Sequence, residues 1–491
     1  MIEKNAIVCA VTEGLGTNGE GIIRHEGITF FVPFCLPGEK VIFRVLKIKD
    51  KIGYGKVEEV LTPAEERVRT KCEVFQKCGG CQLQHLDYHG QLKFKNQVVK
   101  ESLRKIAGIH THVSSTVKSS SPFGYRNKLQ IPVGVNRDGE TVIGFYAERS
   151  HRIVPVTSCA IQPKWATGVI GALHRYMSEC AVEGYDEEKK KGSVRHLVVR
   201  EIDKKYIVTL VVTTEKLPNL RFFEDLLAEV LPEYTLWLNL NDKDTNVVFG
   251  DKFTLIRGRG FFDGLEQDIR FEAGPRTFIQ VNENVRSKLY QEAVDSVVQD
   301  GDEVVIDAYS GGGLMTAMVA KRAKRVYGIE LVPEAVRCAD ELKKKNNLQN
   351  MTNICGYVEE KLVGVLEKEK GEKVRLILDP PRAGIHRSVL MALLQSGIPK
   401  ITMISCNPAT MARDVGILTG HLREKDGELV KATAEELERD KEKYYEIVSV
   451  KPFDMFPQTK HVETVVLLSR EKADDYIRIS VQTKDLKTKA N

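Results

Sequence analysis

The stretch EVVIDAYSGGG (residues 303–313) starts as an apolar, β-branched run, closes on Asp307 and Tyr309, and then turns through three glycines. Such a run reads as a buried strand feeding a Gly-rich turn. Similar strands recur downstream: RVYGIEL (325–331), TNICGYV (352–358), VRLILDPP (374–381), KITMISCNP (400–408) and HVETVVLLS (461–469). Helical stretches such as VPEAVRCADELKKKNN (332–347) and TMARDVGILTGHL (410–422) separate them. Apolar strands alternating with helices need cover on both faces, so the chain from about residue 275 is expected to be α/β, a doubly wound Rossmann-like sheet.

Ligands of such sheets sit beyond the carboxyl ends of the strands. Glu330 closes the second strand 23 residues after Asp307, where a carboxylate can accept both ribose hydroxyls. GGGLMT breaks the GxGxxG spacing that cradles a pyrophosphate, so a nucleoside without a diphosphate is expected, and S-adenosylmethionine is the candidate before NAD. In DPPRAG (379–384) two prolines stop the strand with Asp379 at the mouth. Cys406, in ISCNPAT (404–410), ends the following strand and faces the same crevice. A lone cysteine is most often a small buried hydrophobe, and the local residues leave nucleophile, metal ligand and packing residue all open.

The whole chain of 491 residues is too long for one ordinary core, so two to four domains are expected. Its charge of +5 is small but uneven: residues 71–160 hold 13 Lys or Arg against 6 Asp or Glu. That segment suits a polyanion as well as a solvated positive face. No apolar run is long enough for a bilayer span and MIEKNAIVCAVTEG lacks an apolar signal core, so a cytoplasmic, membrane-free protein is expected. Its cysteines then read as thiols or metal ligands before disulfides.

Residues 1–62 carry five short strand patterns divided by Gly-containing turns, as in a small OB-type β-barrel. Residues 63–270 form a central β-rich domain with an amphipathic helix, HGQLKFKNQVVKESLRKIAGI (89–109), whose Leu92, Val99 and Leu103 point inward, and a second helix near GVIGALHRYMSEC (168–180). The α/β domain spans 271–470, and 471–491 is a polar tail. Cys72, Cys78 and Cys81 are spaced C-x5-C-x2-C, and Cys159 supplies a fourth thiol; four such groups suit a 4Fe-4S cluster or zinc. Radical enzymes space their three cysteines C-x3-C-x2-C and leave one iron open, so a closed structural cluster is expected. Cys9, Cys35, Cys180, Cys338 and Cys355 read as packing residues.

These motifs together resemble the RNA 5-methyluridine methyltransferase family, in its branch with an N-terminal TRAM barrel and a cluster that acts on 23S ribosomal RNA. The strings that carry the likeness are CEVFQKCGGCQLQHLDY, FGYRNKLQ, FIQVN, DPPRAG, SCNPAT and DMFPQTKHVETVVLL, in order and over nearly the whole chain. The resemblance implies that Cys72, Cys78, Cys81 and Cys159 hold the cluster. It implies that Gln280, Tyr309, Glu330 and Asp379 bind S-adenosylmethionine or the adjoining base, that Cys406 is the nucleophile, and that Glu463 is the general base. In DAYSGGGLMT, Ser310 stands where the family usually has a cysteine and Leu314 where it has a more polar residue.

The implied partner is RNA, with no obligate protein partner. Phe123, Tyr125, Arg126 and Lys128 mix aromatic and basic groups as RNA-binding faces do. Three other readings stand beside the first: a transfer RNA substrate, a vestigial cluster-containing RNA-binding protein suggested by the altered glycine loop, and a radical enzyme.

Overall fold

The computed structural model describes residues 2–471, so the expected polar tail lies outside the described residues except for Glu471. The N-terminal segment folds as β1 (Ile7–Val11), β2 (Gly14–Leu15), β3 (Gly21–His25), β4 (Ile28–Val32), β5 (Lys40–Lys49) and β6 (Ile52–Thr62). They form one sheet in the order β1-β5-β6-β4-β3-β2. Alternate residues of β5, Val41, Phe43 and Val45, turn inward onto Ile23, Phe30 and Val32, as a period of two demands. The strand absent from the pattern is β2, whose two residues cannot show a period.

The central sheet comprises β7 (Lys128–Val135), β8 (Thr141–Tyr146), β9 (Ile153–Pro155), β10 (Val194–Ile202), β11 (Lys205–Val212), β12 (Tyr234–Leu240) and β13 (Lys252–Arg257). Its order is β13-β12-β11-β10-β7-β8-β9. Helices Lys164–Glu179 and Leu220–Val230 pack on it through Val169, Ile170, Leu173, Phe223 and Leu227. The second of these helices was not expected. A hairpin, β14 (Phe262–Glu266) and β15 (Ile269–Ala273), leads into the last sheet.

That sheet is built from β16 (Val304–Ala308), β17 (Arg325–Glu330), β18 (Met351–Cys355), β19 (Val374–Leu378) and β20 (Lys400–Ser405). A small hairpin, β21 (Leu422–Lys425) and β22 (Glu428–Lys431), precedes its last strands, β23 (Glu446–Phe453) and β24 (Glu463–Ser469). The order is β18-β17-β16-β19-β20-β24-β23. The first five strands are parallel, and β24 runs antiparallel to both neighbours. Neighbouring residues of β16 alternate between two cores: Val304 and Ile306 face one, Val305 the other. This is the expected α/β sheet covered on both faces.

Two segments that precede the sheet in sequence join those cores. Helix Tyr88–Ser102 continues through a π-helical turn to Ala107 and lays Val99, Leu103 and Ala107 on one face. Leu92 is only half-buried; Phe94 and Val98 do the inward packing beside Val99. Phe262, Ile269 and Phe271 of the hairpin join the other face. Among the described residues no helix is long and apolar enough to cross a membrane.

Candidate active site

The carboxyl edge of the α/β sheet gathers most of the residues singled out from the sequence. At the end of β16, Tyr309 takes a left-handed φ of 67°, a strained conformation for a residue with a side chain. Tyr309 and Ser310 both donate backbone N–H bonds to the carbonyl of Ile329, which fixes the turn against β17. Gly311 then donates to Glu330 Oε2 at 2.9 Å, and Val332 to Oε1 at 2.8 Å. The Glu330 carboxylate is thereby held in place at the crevice. A Cβ on Gly311 or Gly312 would meet nothing within 4 Å, so these residues face open space, whereas one on Gly313 would strike Ala339 at 2.7 Å. Leu331 and Val332, which follow Glu330, and Tyr357, which follows β18, are exposed apolar residues near this edge.

Behind the turn, Asp307 is fully buried; Thr316 donates to its Oδ2 at 2.5 Å and its Oδ1 has no partner. Burial raises its carboxyl to about 7, and so does burial at Asp379. The nearby charges of Asp379 and Glu330 add to the rise at Asp307.

Cys406 follows β20 and lies one step beyond the Ser405–Thr464 pair, opposite Glu463 at the start of β24. Cys406 is half-buried, and Glu463 is 4% exposed. Burial, with the charge of Asp379, raises the Glu463 carboxyl to about 8, and Arg382 opposes the shift. Burial and then Glu463 raise the Cys406 thiol, while Arg382 lowers it by charge and by hydrogen bonding. Cys406 also stands immediately before helix Pro408–Leu418, whose N-terminal dipole favours a thiolate. The Arg382 carbonyl accepts from Asn407 Nδ2 at 3.1 Å and Thr410 Oγ1 at 3.3 Å, so the DPPRAG turn is tied to the residues just after the thiol.

Arg382 and His461 were not singled out from the sequence, although both lie inside quoted strings. His461 feels Arg382 and is pushed down to about 4, chiefly by burial, which makes it a neutral imidazole beside the site. Gln280 is 8% exposed and accepts from Asn127 Nδ2 through its carbonyl at 3.2 Å. Its neighbours Ile279 and Val281 line a different cavity, so the structure places the FIQVN segment along that cavity, and no hydrogen bond among the described residues sets Gln280 beside Cys406 and Glu463.

That second cavity, of about 340 Å³, is lined by Cys72, Cys78, Cys81 and Cys159 together, so the structure brings the four spaced thiols to one place. Burial pushes the Cys81 thiol up to about 12 and raises Cys78 and Cys159. Among the described residues the only trio of ligand-type groups within 4.8 Å of one another is the mostly exposed Asp300, Asp302 and Glu303. No three of the four thiols lie within that distance of one another.

Arg126, Lys128 and Arg200 also line this cavity and make no ion pair among the described residues. Arg126 Nε has no hydrogen-bond partner, and Lys128 falls to about 8 through burial and its cationic neighbours. Arg126 and Lys128 are half-buried and line the cavity that the thiols share. Cys9, Cys338 and Cys355 correct another expectation, being exposed rather than packed.

The family model for tRNA (uracil-5-)-methyltransferase matches residues 263–425. An uncharacterized RNA methyltransferase of Clostridium tetani is 36% identical over 95% of this chain and 97% of its own length. One of Halalkalibacterium halodurans is 35% identical over 95% and 98%. The crystal structure of Pyrococcus abyssi tRNA (uracil-54, C5)-methyltransferase with S-adenosyl-L-homocysteine is 27% identical, with a TM-score of 0.72 over 94% of this chain and 99% of that one.

Proposed function

Because the chain belongs to the RNA uracil-5-methyltransferase family and works with S-adenosylmethionine, we propose that it methylates C5 of a uridine in 23S ribosomal RNA, with Cys406 as nucleophile and Glu463 as general base. The observation that carries this reading is the opposition of Cys406 and Glu463 at one end of the β20–β24 ladder, beside Asp379 and Arg382.

Uracil C5 is a poor nucleophile because its ring is electron-deficient. The Cys406 thiolate adds to C6, and the electron pair of the C5–C6 double bond moves onto the C4 carbonyl as an enolate. S-adenosylmethionine, when bound, supplies a methyl group on a positive sulfur. C5 takes up that methyl, and S-adenosylhomocysteine departs. The Glu463 carboxylate then removes the C5 proton, the enolate re-forms, and its collapse breaks the C6–S bond to restore the thiolate. Arg382 offsets the anionic charge that alternates between thiolate and carboxylate.

In this reading Glu330 accepts the ribose hydroxyls of the cofactor, while Gln280, Tyr309 and Asp379 contact the cofactor or the target base. A stacked uridine must leave its neighbours to reach Cys406, at a cost of a few kcal/mol. Residues 1–62, as a TRAM-type barrel, and the central domain over 63–270 contribute the RNA contacts that offset this, and residues 271–470 carry the chemistry.

Cys72, Cys78, Cys81 and Cys159 are proposed to hold a 4Fe-4S cluster. Support comes from their meeting in one cavity and from Arg126, Lys128 and the buried Arg200 beside them, which suit an anionic centre. The cluster would cross-link segments far apart in sequence and takes no part in the methylation steps.

The likeness to the Pyrococcus enzyme favours a second reading, in which the substrate is transfer RNA. RNA carrying 5-fluorouridine tests the chemistry, because fluorine cannot leave as a proton and the adduct persists. Mapping 5-methyluridine in ribosomal and transfer RNA from cells lacking the gene separates the substrates; loss from transfer RNA alone would overturn the ribosomal assignment.

A further inference from the structure

No hydrogen bond reaches the Glu463 carboxylate among the described residues, so the backbone on either side sets where that group points. On one side lies the β20–β24–β23 ladder. On the other lies the loop 454–461, and its central fixture is Gln458, five residues before Glu463.

Gln458 is 2% exposed and holds a left-handed φ of 72°. Its carbonyl accepts from the N–H groups of Gln82 and Leu83, at 3.2 and 3.0 Å, and these residues directly follow Cys81. Gln458 N–H donates to Gln91 Oε1 at 2.9 Å, and Gln91 Nε2 donates back to Gln458 Oε1 at 3.0 Å. Gln458 Nε2 donates to the Pro122 carbonyl at 3.3 Å. Gln91, itself 1% exposed, also donates to the carbonyls of Leu83 and Leu86. One buried amide pair therefore joins the thiol-bearing turn, helix Tyr88–Ser102 and the loop that delivers Glu463. The loop is braced further by the buried Lys95–Asp454 ion pair, by Lys95 Nζ on the Phe456 carbonyl at 2.9 Å, and by the Tyr125 hydroxyl on the Pro457 carbonyl at 3.1 Å.

A residue in a strained conformation persists only where its surroundings over-determine it, and a buried amide is costly unless its polar atoms are paired. We infer that Gln458 is a positioning residue for Glu463, holding the base-bearing strand in place by anchoring its approach to the turn that carries Cys81. This rests on the proposed role of Glu463 as base. It assigns Gln458 to proton removal alone, since thiol addition and methyl uptake precede that step and draw on Cys406, at the end of a different strand.

The test compares two RNAs. With uridine RNA, Gln458→Ala is expected to lose about tenfold or more in turnover, as a displaced catalytic group does, and to accumulate the methylated covalent adduct. With 5-fluorouridine RNA, which never needs the base, adduct formation should stay within about twofold of the parent. Gln91→Met, which removes the amide pair from the other side together with the Gln91 bonds to Leu83 and Leu86, should reproduce the split and carries the test if Gln458→Ala melts early by circular dichroism. An equal loss in both assays, or undiminished turnover, would overturn the inference. A parent protein that forms no adduct would instead remove the reading of Cys406, and the inference with it.

Discussion

Cys406 and Glu463 oppose one another one step beyond the Ser405–Thr464 pair, on strands that run in opposite directions. A parallel neighbour would have brought its amino end to the far side of the sheet. The antiparallel turn of β24 is what sets a carboxyl at the start of one strand beside a thiol at the end of another.

The first prediction separates these two groups. Cys406→Ala should form no adduct with 5-fluorouridine RNA. Glu463→Gln should form the adduct on ordinary uridine RNA and hold it, with turnover reduced by about a hundredfold or more. Denaturing electrophoresis of labelled RNA distinguishes the outcomes, and turnover by Cys406→Ala would defeat the mechanism.

A second prediction concerns stability. The Glu463 carboxyl is raised in the fold from 4.5 to about 8, so the folded state binds more protons across that window and loses stability as pH rises through it. Glu463→Gln removes this term. Relative to parent, the variant should gain stability from about pH 4.5 upward, by roughly 3 kcal/mol at pH 7, and the difference should vanish in acid. Urea melts at several pH values measure it.

Cofactor binding should release protons near neutral pH. Asp307 and Asp379 are each raised to about 7, and a sulfonium brought to their edge of the sheet favours the ionised forms. S-adenosylhomocysteine lacks that charge and should release fewer. Calorimetry in buffers of different ionisation enthalpy gives the proton count; equal counts for the two ligands would contradict the placement.

Arg382 opposes the upward shift of both Cys406 and Glu463. Arg382→Met should therefore move the rising limb of the rate–pH profile to higher pH, with activity partly recovered in alkaline buffer. A uniform loss at every pH would assign Arg382 to substrate binding instead.

For the thiol centre, Cys81→Ser should lower bound iron and the visible absorbance of the purified protein. Arg200→Met should weaken retention of iron under chelator, because it removes a buried cation from the same cavity. Zinc in place of iron, found by elemental analysis, would reject the cluster.

The α/β sheet was legible because most of its strands are apolar runs separated by helical stretches, with Asp307, Glu330, Asp379 and Cys406 at or next to their ends. Spacing alone did not reveal the two-residue β2 or the packing of helix Tyr88–Ser102 against a sheet formed some two hundred residues later, because long-range packing leaves no local period. The cavity that Arg126 and Lys128 share with the four thiols was not legible either, because it joins segments from Cys72 to Val281.

Strand β24 is nearly the last described element of the chain, yet it lies inside its sheet, between β20 and β23. During synthesis, β20 must wait with an unpaired backbone edge until residues 463–469 have left the ribosome, and such an edge invites pairing with other chains. A message truncated before that point yields a product with its glycine turn and thiol in place, an exposed seam along β20, and no Glu463 opposite Cys406.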